Sequence, residues 1–206
     1  RSDTRIVNNI LVDCGLAMVE YNGWTPKHRY WTNHLGSMVK GYESVAASPA
    51  WRGMRNMDVH PTNAVQPDGT IMTGNEFVRN IVAWSGTNAA LFKFRSLPLH
   101  AYRSDSNLVW HAGQPIKTGF RRDGMDEWDA WKALGFDSNS VVADPRFKDP
   151  ANDDYRFRWF SPARKIGFEP IPFERIGPHR DPLRASWPVV EAEGAREHPL
   201  GREGGK

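Results

Sequence analysis

Three heptapeptides of one design constrain the fold of this chain more than any other feature. They read NILVDCG from Asn9, NIVAWSG from Asn80 and NLVWHAG from Asn107. Each consists of an Asn, two aliphatic residues, three varied residues and a Gly, at intervals of 71 and 27 residues. Because β-branched and aliphatic residues surround them in short runs, each heptapeptide predicts a β-strand.

The interval of 27 residues predicts stacked coils. It is too short for a propeller blade of about 40 to 45 residues, whereas a parallel β-helix stacks equivalent residues about 4.8 Å apart. We therefore expect an all-β, parallel β-helix (solenoid) in which Asn9, Asn80 and Asn107 form a ladder of hydrogen-bonded amides. The glycine of each heptapeptide would occupy a corner that needs positive φ or close backbone approach.

The rest of the chain divides by composition. Residues 1–120 are predicted to form the coils, with a long functional loop inserted at about 24–70, where no period is visible. Residues 121–177 are predicted to hold a short amphipathic helix, ended by Gly135, and an irregular closing segment of the same solenoid. Residues 178–206 are rich in Pro, Gly and charge, which predicts a loose tail.

Composition argues against several classes of partner. The 27 bases and 24 acids nearly balance at +3 and are scattered, so nucleic acid is not expected. No run of about eighteen apolar residues is present, so no membrane span is expected. The histidines are dispersed, so no metal is expected as a cofactor. Calcium is possible at acidic loops such as DPANDD, although such turns are usually only solvated.

The closing segment resembles a known group of proteins. The stretches ADPRFKDPANDDYRFRWFSPARKIGFEPI and IGPHRDPLRASWP, with NNILVDCG, SPAWRG and GNEFVRNIV, resemble bacterial right-handed parallel β-helix proteins found among secreted carbohydrate-active enzymes. The resemblance covers roughly residues 4 to 188. It implies a right-handed coil, a secreted or periplasmic location and a polysaccharide or oligosaccharide as partner.

The same resemblance implies three functions. A glycoside hydrolase acting on a plant or algal polysaccharide is the first, and a polysaccharide lyase acting on a uronate-containing glycan is the second. The third is a non-catalytic β-helix that binds glycan or has a structural role. Because the resemblance also implies coils before residue 1, we expect the N-terminal coils of the same protein, as another chain or segment, to cover the first coil.

A hydrolase needs two carboxylates, about 5 to 5.5 Å apart for retention or about 6.5 to 9.5 Å apart for inversion. Asp13, Glu20 and Asp58 are the candidates for this catalytic role. Aligned on their asparagines, the heptapeptides place Asp13, Trp84 and His111 in one column, which strand alternation points towards solvent or substrate. The alternative is that Asp13 and Glu20 are solvated surface acids and that Asp58 caps a turn.

Substrate binding has two sets of candidates. A lyase needs a base and cations that neutralise a uronate carboxylate, for which Arg79, Lys93 and His111 are candidates, although each is also consistent with an ordinary surface or ladder residue. Aromatic faces stack on sugar rings, so Trp84 and the tryptophans of the inserted loop are also candidates. Those of the loop are Trp24, Trp31 and Trp51. They could equally attach the loop to the coils.

Overall fold

The computed structural model describes residues 4–15, 17–22, 28–54, 59–63, 74–95, 99–120, 126–173 and 176. The chain divides into two compact units, Arg1–Glu169 and Pro170–Lys206. In the second unit, the described residues form turns in which Phe173 N–H donates to Ile171 O and Ile176 N–H donates to Phe173 O. The predicted tail, 178–206, lies outside the described residues. All further description concerns the first unit.

The described part of the first unit combines short strands with helices. The strands are β1 Arg5–Val7, β2 Ile10–Val12, β3 Ala17–Asn22, β4 Asn75–Val78, β5 Ile81–Ala83, β6 Ala90–Arg95, β7 Tyr102–Asp105, β8 Leu108–Trp110, β9 Val141–Val142, β10 Phe147–Asp149 and β11 Asp154–Phe157. The α-helices are α1 Arg29–Val45, α2 Pro49–Arg52 and α3 Trp128–Ala133. Short 3-10 helices cover Pro61–Asn63, Leu99–Ala101, Pro150–Asn152 and Pro162–Ile166.

The strands pair mainly in parallel, in an order that follows the heptapeptide spacing. The parallel sheets are β1-β4-β7, β2-β5-β8-β9 and β3-β6, while β10 and β11 form an antiparallel hairpin. In the four-stranded sheet, Ile10 lies opposite Ile81, Ile81 opposite Leu108, and Leu108 opposite Val141. The first, second and third strands each form an edge of their sheet. That preceding coils cover these three edge strands stays a prediction.

The predicted fold class, an all-β right-handed parallel β-helix, is wrong. The chain has mixed α/β content, and its parallel strands form several short sheets. The clearest departure is α1, whose 17 residues lie in the stretch 24–70 that was predicted to be an irregular loop. Its less exposed side chains recur at helical spacing, but Gly36 and Gly41 lower its intrinsic helix propensity and obscured the pattern.

The asparagine ladder is confirmed. Asn9 Nδ2 donates to Asn80 Oδ1 at 3.1 Å, and Asn80 Nδ2 lies 3.3 Å from Asn107 Oδ1. The backbone N–H groups of Asn9 and Asn80 donate to the same two oxygens. Asn80 and Asn107 are almost fully buried, whereas Asn9 is exposed. Of the three corner glycines, Gly15 and Gly113 have positive φ and Gly86 does not.

A buried carboxylate continues the ladder beyond Asn107. Asp137, only 1% exposed, accepts hydrogen bonds from Asn107 Nδ2 and Ser140 Oγ on one oxygen, and from Ser104 Oγ and Trp131 Nε1 on the other. Ser140 Oγ in turn accepts the N–H of Asn107, 33 residues before it. The network joins β7, β8 and the start of β9 to α3.

The short helix predicted after residue 121 is present as α3, and Gly135 follows it with a φ of 93°. The helix is anchored by Trp131, which is fully buried. The Trp131 ring packs within 4.3 to 6.1 Å of four phenylalanine rings, counted between ring centroids. These are Phe92, Phe94, Phe120 and Phe136. Aromatic packing of this kind fixes the helix to β6.

The ladder makes a prediction for stability. We expect Asn107→Ala to lower the free energy of unfolding by about 2 kcal/mol, because buried groups that Asn107 bonds, including Asn80 N–H and Phe77 O, lose their partner. Asn9→Ala is the matched control. Because Asn9 is exposed, its replacement should lower the free energy of unfolding by less than about 0.5 kcal/mol. Urea unfolding of both variants measures the difference, and equal losses would contradict the assigned role of the buried rungs.

Candidate functional site

The carboxyl ends of the four-stranded sheet bring one column of residues together. Asp13, Trp84, His111 and Asp144 follow β2, β5, β8 and β9 at the same intervals of 71, 27 and 33 residues that separate the rungs of the ladder. The backbone stays paired at this level, with Asp13 N–H donating to Ala83 O and Trp84 N–H to Trp110 O, both at 3.0 Å. The column therefore extends the sheet by one position.

A cavity of about 630 Å³ lies beside this column. Its walls come from the ends of β2, β5, β8 and β9 and from the β10–β11 hairpin. The side chains that matter for chemistry are Asp13, Trp110, Asp144, Arg146, Arg158 and Trp159. With the ring of Trp84, which is also in the wall, they bring two carboxylates, two guanidinium groups and three indole rings to one concave surface.

A second cavity, of about 610 Å³, adjoins the first. The two share Asp144, Arg146 and Trp159 in their walls. The second adds Phe160, Ser161, Arg164 and Lys165. We call the two adjoining cavities the hairpin groove, because residues that flank the β10–β11 hairpin line both.

Asp13 is held at the first cavity by local backbone geometry. Its φ of 46° lies in the left-handed region, which Asp tolerates better than most residues. Its Oδ1 accepts the backbone N–H of Ser85 at 2.8 Å and the Ser85 hydroxyl at 3.1 Å. The exposed side chain keeps its second oxygen for other contacts, within the part of the chain that the structure describes.

The prediction that the whole column points outward is wrong for Trp84 and His111. They are 2% and 3% exposed, and their rings stack at 4.6 Å between centroids. Both ring nitrogens of His111 face carbonyl oxygens, those of Pro115 and Gly86. His111 is therefore a packing residue here. The indole N–H of Trp84 is buried and lacks a partner among the described residues.

The hairpin is stabilised by aromatic packing between its two strands, and β11 also carries an ion pair between Arg156 and Asp154. Phe147 packs against Tyr155 and Phe157, with ring centroids 5.3 and 5.9 Å apart. Hydrogen bonds from Arg156 lower the pKa of Asp154 to about 2. Partial burial, its hydrogen bond to Asp153 and the nearby charge of Asp13 raise the pKa of the Tyr155 hydroxyl.

The residues after β11 display two aromatic rings to solvent. Trp159 is 76% exposed and Phe160 is 79% exposed. The Arg164 guanidinium carbon lies 6.0 Å from the Trp159 ring centroid, at the outer limit of a cation–π contact. Phe160 has a φ of 64°, which is strained for a bulky side chain. Strained, exposed aromatic residues beside a cavity are typical of binding sites rather than of packing.

Other described residues among the predicted site residues lie away from the groove. Glu20 lies opposite Lys93 in the register of β3 and β6, as their alignment predicted, but on a different sheet from Asp13. Arg79 makes an ion pair with Glu169 at 3.4 Å. Asp58 and Trp24 lie outside the described residues.

The predicted aromatic wall of the inserted stretch is also absent from the groove. Trp31 is buried on α1, and Trp51 of α2 packs edge-on against Tyr42 at 6.4 Å between centroids. Neither these helices nor the other described residues of 24–70 line either cavity. The contact of Trp51 with Tyr42 lies within the inserted stretch, and the alternative that these tryptophans attach the loop to the coils stays a prediction.

Sequence reasoning missed Asp144 and the hairpin residues. The stretch SVVAD from Ser140 is a fourth copy of the heptapeptide start, with Ser in place of Asn. An alignment that allowed this replacement would have placed Asp144 in the column of Asp13. Arg146, Arg158 and Trp159 carry no such repeat; Arg146 follows Asp144 by two residues, whereas Arg158 and Trp159 reach the groove through the hairpin.

Two other kinds of site find no support within the described ranges. No group of three or more His, Cys, Asp or Glu side chains there is arranged to hold a metal ion. No helix among those described is long and apolar enough to cross a membrane.

Comparison with known proteins gives no match to a family model, to a curated protein or to a solved structure. The function is therefore argued from the groove itself.

Proposed function

We propose that this chain binds a plant or algal polysaccharide in the hairpin groove and that it works outside the cytoplasm, as a secreted or periplasmic protein. The observation that carries the proposal is Trp159, an indole 76% exposed at the wall shared by both cavities. An indole face offers apolar area to the C–H face of a sugar ring at low entropic cost, since only two torsions are fixed.

The polar groups around Trp159 suit the hydroxyl groups of a sugar. Asp13 and Asp144 present acceptors, and Arg146 and Arg158 present donors, at the same cavity. Small-ligand sites combine apolar walls with a few polar groups that set orientation. The two adjoining cavities, about 630 and 610 Å³, offer room for more than one sugar residue.

A tryptophan variant tests this proposal. We expect Trp159→Ala to weaken binding of the best-retained polysaccharide by about tenfold, about 1.4 kcal/mol, because the stacking platform is lost. Affinity electrophoresis against polygalacturonate, alginate, carrageenan and xylan gives the measurement. Tyr30→Ala is the control, since Tyr30 is a half-exposed aromatic residue on α1, outside the groove. Equal weakening by both variants, or none by Trp159→Ala, would contradict the proposal.

Hydrolysis of the bound glycan is a second candidate function. The observation that favours it is the presence of two carboxylates, Asp13 and Asp144, in the wall of one cavity, as glycoside hydrolysis requires. Asp144 would replace Glu20 and Asp58 as the partner of Asp13. Reducing-sugar release by Asp13→Asn and Asp144→Asn variants tests this role. Absorbance of unsaturated products, measured in parallel, would instead indicate the lyase alternative.

A further inference from the structure

The hairpin groove carries an excess of positive charge. Four cations line it, Arg146 and Arg158 in the first cavity and Arg164 and Lys165 in the second, against the carboxylates of Asp13 and Asp144. All four cations are exposed. Among the residues that the structure describes, none of the four makes an ion pair with a carboxylate.

Several arginines elsewhere in the described chain make ion pairs with carboxylates, whereas Arg29 and Arg52 do not. Arg5 and Arg103 both reach Glu76, and Arg79 reaches Glu169. In the hairpin, outside the groove, Arg156 is paired with Asp154 at 2.6 Å. What distinguishes the four groove cations is that they are gathered, without a carboxylate partner among the described residues, in the walls of two adjoining cavities where a ligand can reach them.

One of these guanidinium groups is held by a hydrogen bond, and a second lies beside the Trp159 ring at the outer limit of a cation–π contact. Arg158 Nη2 donates to Lys148 O at 2.7 Å, which uses one of its five donors and fixes the side chain across the hairpin. Arg164 lies over the Trp159 ring, at 6.0 Å from its centroid. A guanidinium fork held in this way matches the paired oxygens of a carboxylate or a sulfate.

We infer that the hairpin groove selects negatively charged glycans, whose uronate carboxylates or sulfate esters are bound by Arg146, Arg158, Arg164 and Lys165 while a sugar ring stacks on Trp159. This inference rests on the proposed glycan binding and adds the class of glycan. It also assigns the neutralisation of a uronate carboxylate to these groove cations instead of Arg79, Lys93 and His111.

Matched polysaccharides test the charge directly. Polygalacturonate is compared with its fully methyl-esterified form, which keeps the backbone and removes the charge, and carrageenan is compared with uncharged agarose. At about 0.15 M salt, we expect the 206-residue chain to bind at least one charged polymer about tenfold more tightly than its neutral counterpart. The polymer that passes shows whether a carboxylate or a sulfate is preferred.

Variants connect the preference to the groove. Arg146→Gln with Arg164→Gln should remove most of the preference for the charged polymer, and should weaken binding of the neutral one by a smaller factor because glutamine can still donate to sugar hydroxyls. Arg103→Gln is the control, since Arg103 is exposed but lies outside both cavities. A preference that survives the double variant would overturn the assignment of these residues.

The outcomes separate the two claims. Equal binding of charged and neutral polymers would overturn the charge inference and leave glycan binding standing. Absence of binding to any of the polysaccharides would overturn both the charge inference and the proposed glycan binding. Poly-L-glutamate serves as a charged polymer without sugar, and binding as tight as that of polygalacturonate would show general attraction to polyanions and overturn recognition of a charged sugar.

Discussion

Asp13→Asn and Asp144→Asn are each expected to lower reducing-sugar release by about 10²- to 10⁴-fold, the usual contribution of a general acid or base. Asparagine keeps the shape of aspartate but cannot transfer a proton or attack as a carboxylate. The change is also mild for the fold. In Asp13→Asn, the remaining carbonyl oxygen can still accept the Ser85 N–H and hydroxyl. We therefore expect stability to change by less than about 1 kcal/mol.

The control for these variants is Asp149→Asn. Asp149 is an exposed aspartate at the end of β10 that lines neither cavity, so activity should be retained. Measuring glycan binding together with activity distinguishes a binding function from a hydrolytic one. Amide variants that bind and hydrolyse glycan at the wild-type rate would remove both carboxylates from the mechanism. Wild-type protein that binds glycan and releases no product would leave the chain as a binding module.

Asp137→Asn is expected to lower the free energy of unfolding by about 3 kcal/mol. Each oxygen of this buried carboxylate faces a nitrogen donor, Asn107 Nδ2 at 2.9 Å and Trp131 Nε1 at 2.7 Å. An asparagine must turn its NH₂ group towards one of them. The indole N–H of Trp131 can only donate. The Asn107 amide cannot flip to offer its oxygen, because that oxygen already accepts the Asn80 N–H. One N–H donor therefore loses its acceptor in either orientation.

Asp129→Asn provides the control for Asp137→Asn. Asp129 is exposed in the first turn of α3. Its replacement should lower the free energy of unfolding by no more than about 1 kcal/mol, through loss of its interaction with the helix dipole. Urea unfolding of the two variants, with aromatic circular dichroism as a second probe of the Trp131 cluster, measures the difference. A loss for Asp137→Asn no larger than that of the control would show that the buried network does not hold α3 in place.

The sequence predicts the ladder well because its evidence is local and repeated. Each rung needs the same amide in the same place, so Asn9, Asn80 and Asn107 repeat visibly along the chain. The fourth repeat escapes notice because Ser140 satisfies the Asn107 N–H with a hydroxyl instead. The helix α1 escapes sequence analysis for a different reason, since a stretch that lacks the coil period can still form a regular helix.

The site was predictable only in part. Asp13 was found because it follows a strand of the ladder, and Asp144 could have been found in the same way. The burial of Trp84 could not be read from strand alternation, since alternation ends where the strand ends and Asp13, unlike Trp84, adopts positive φ. Arg158 and Trp159 depend on how the β10–β11 hairpin, which follows β9, folds back beside the carboxyl ends of the four-stranded sheet. That is a tertiary contact without a local signal.

The central claim is that glycan binds in the hairpin groove. Its most direct test is the set of indole ¹H–¹⁵N resonances of the nine tryptophans, assigned by single Trp→Phe variants and followed while an oligosaccharide from the best-retained polysaccharide is added. The account predicts that the largest shifts fall on Trp159 and Trp110, which line the groove. Shifts confined to Trp31 and Trp51, or no shift at saturating ligand, would contradict it.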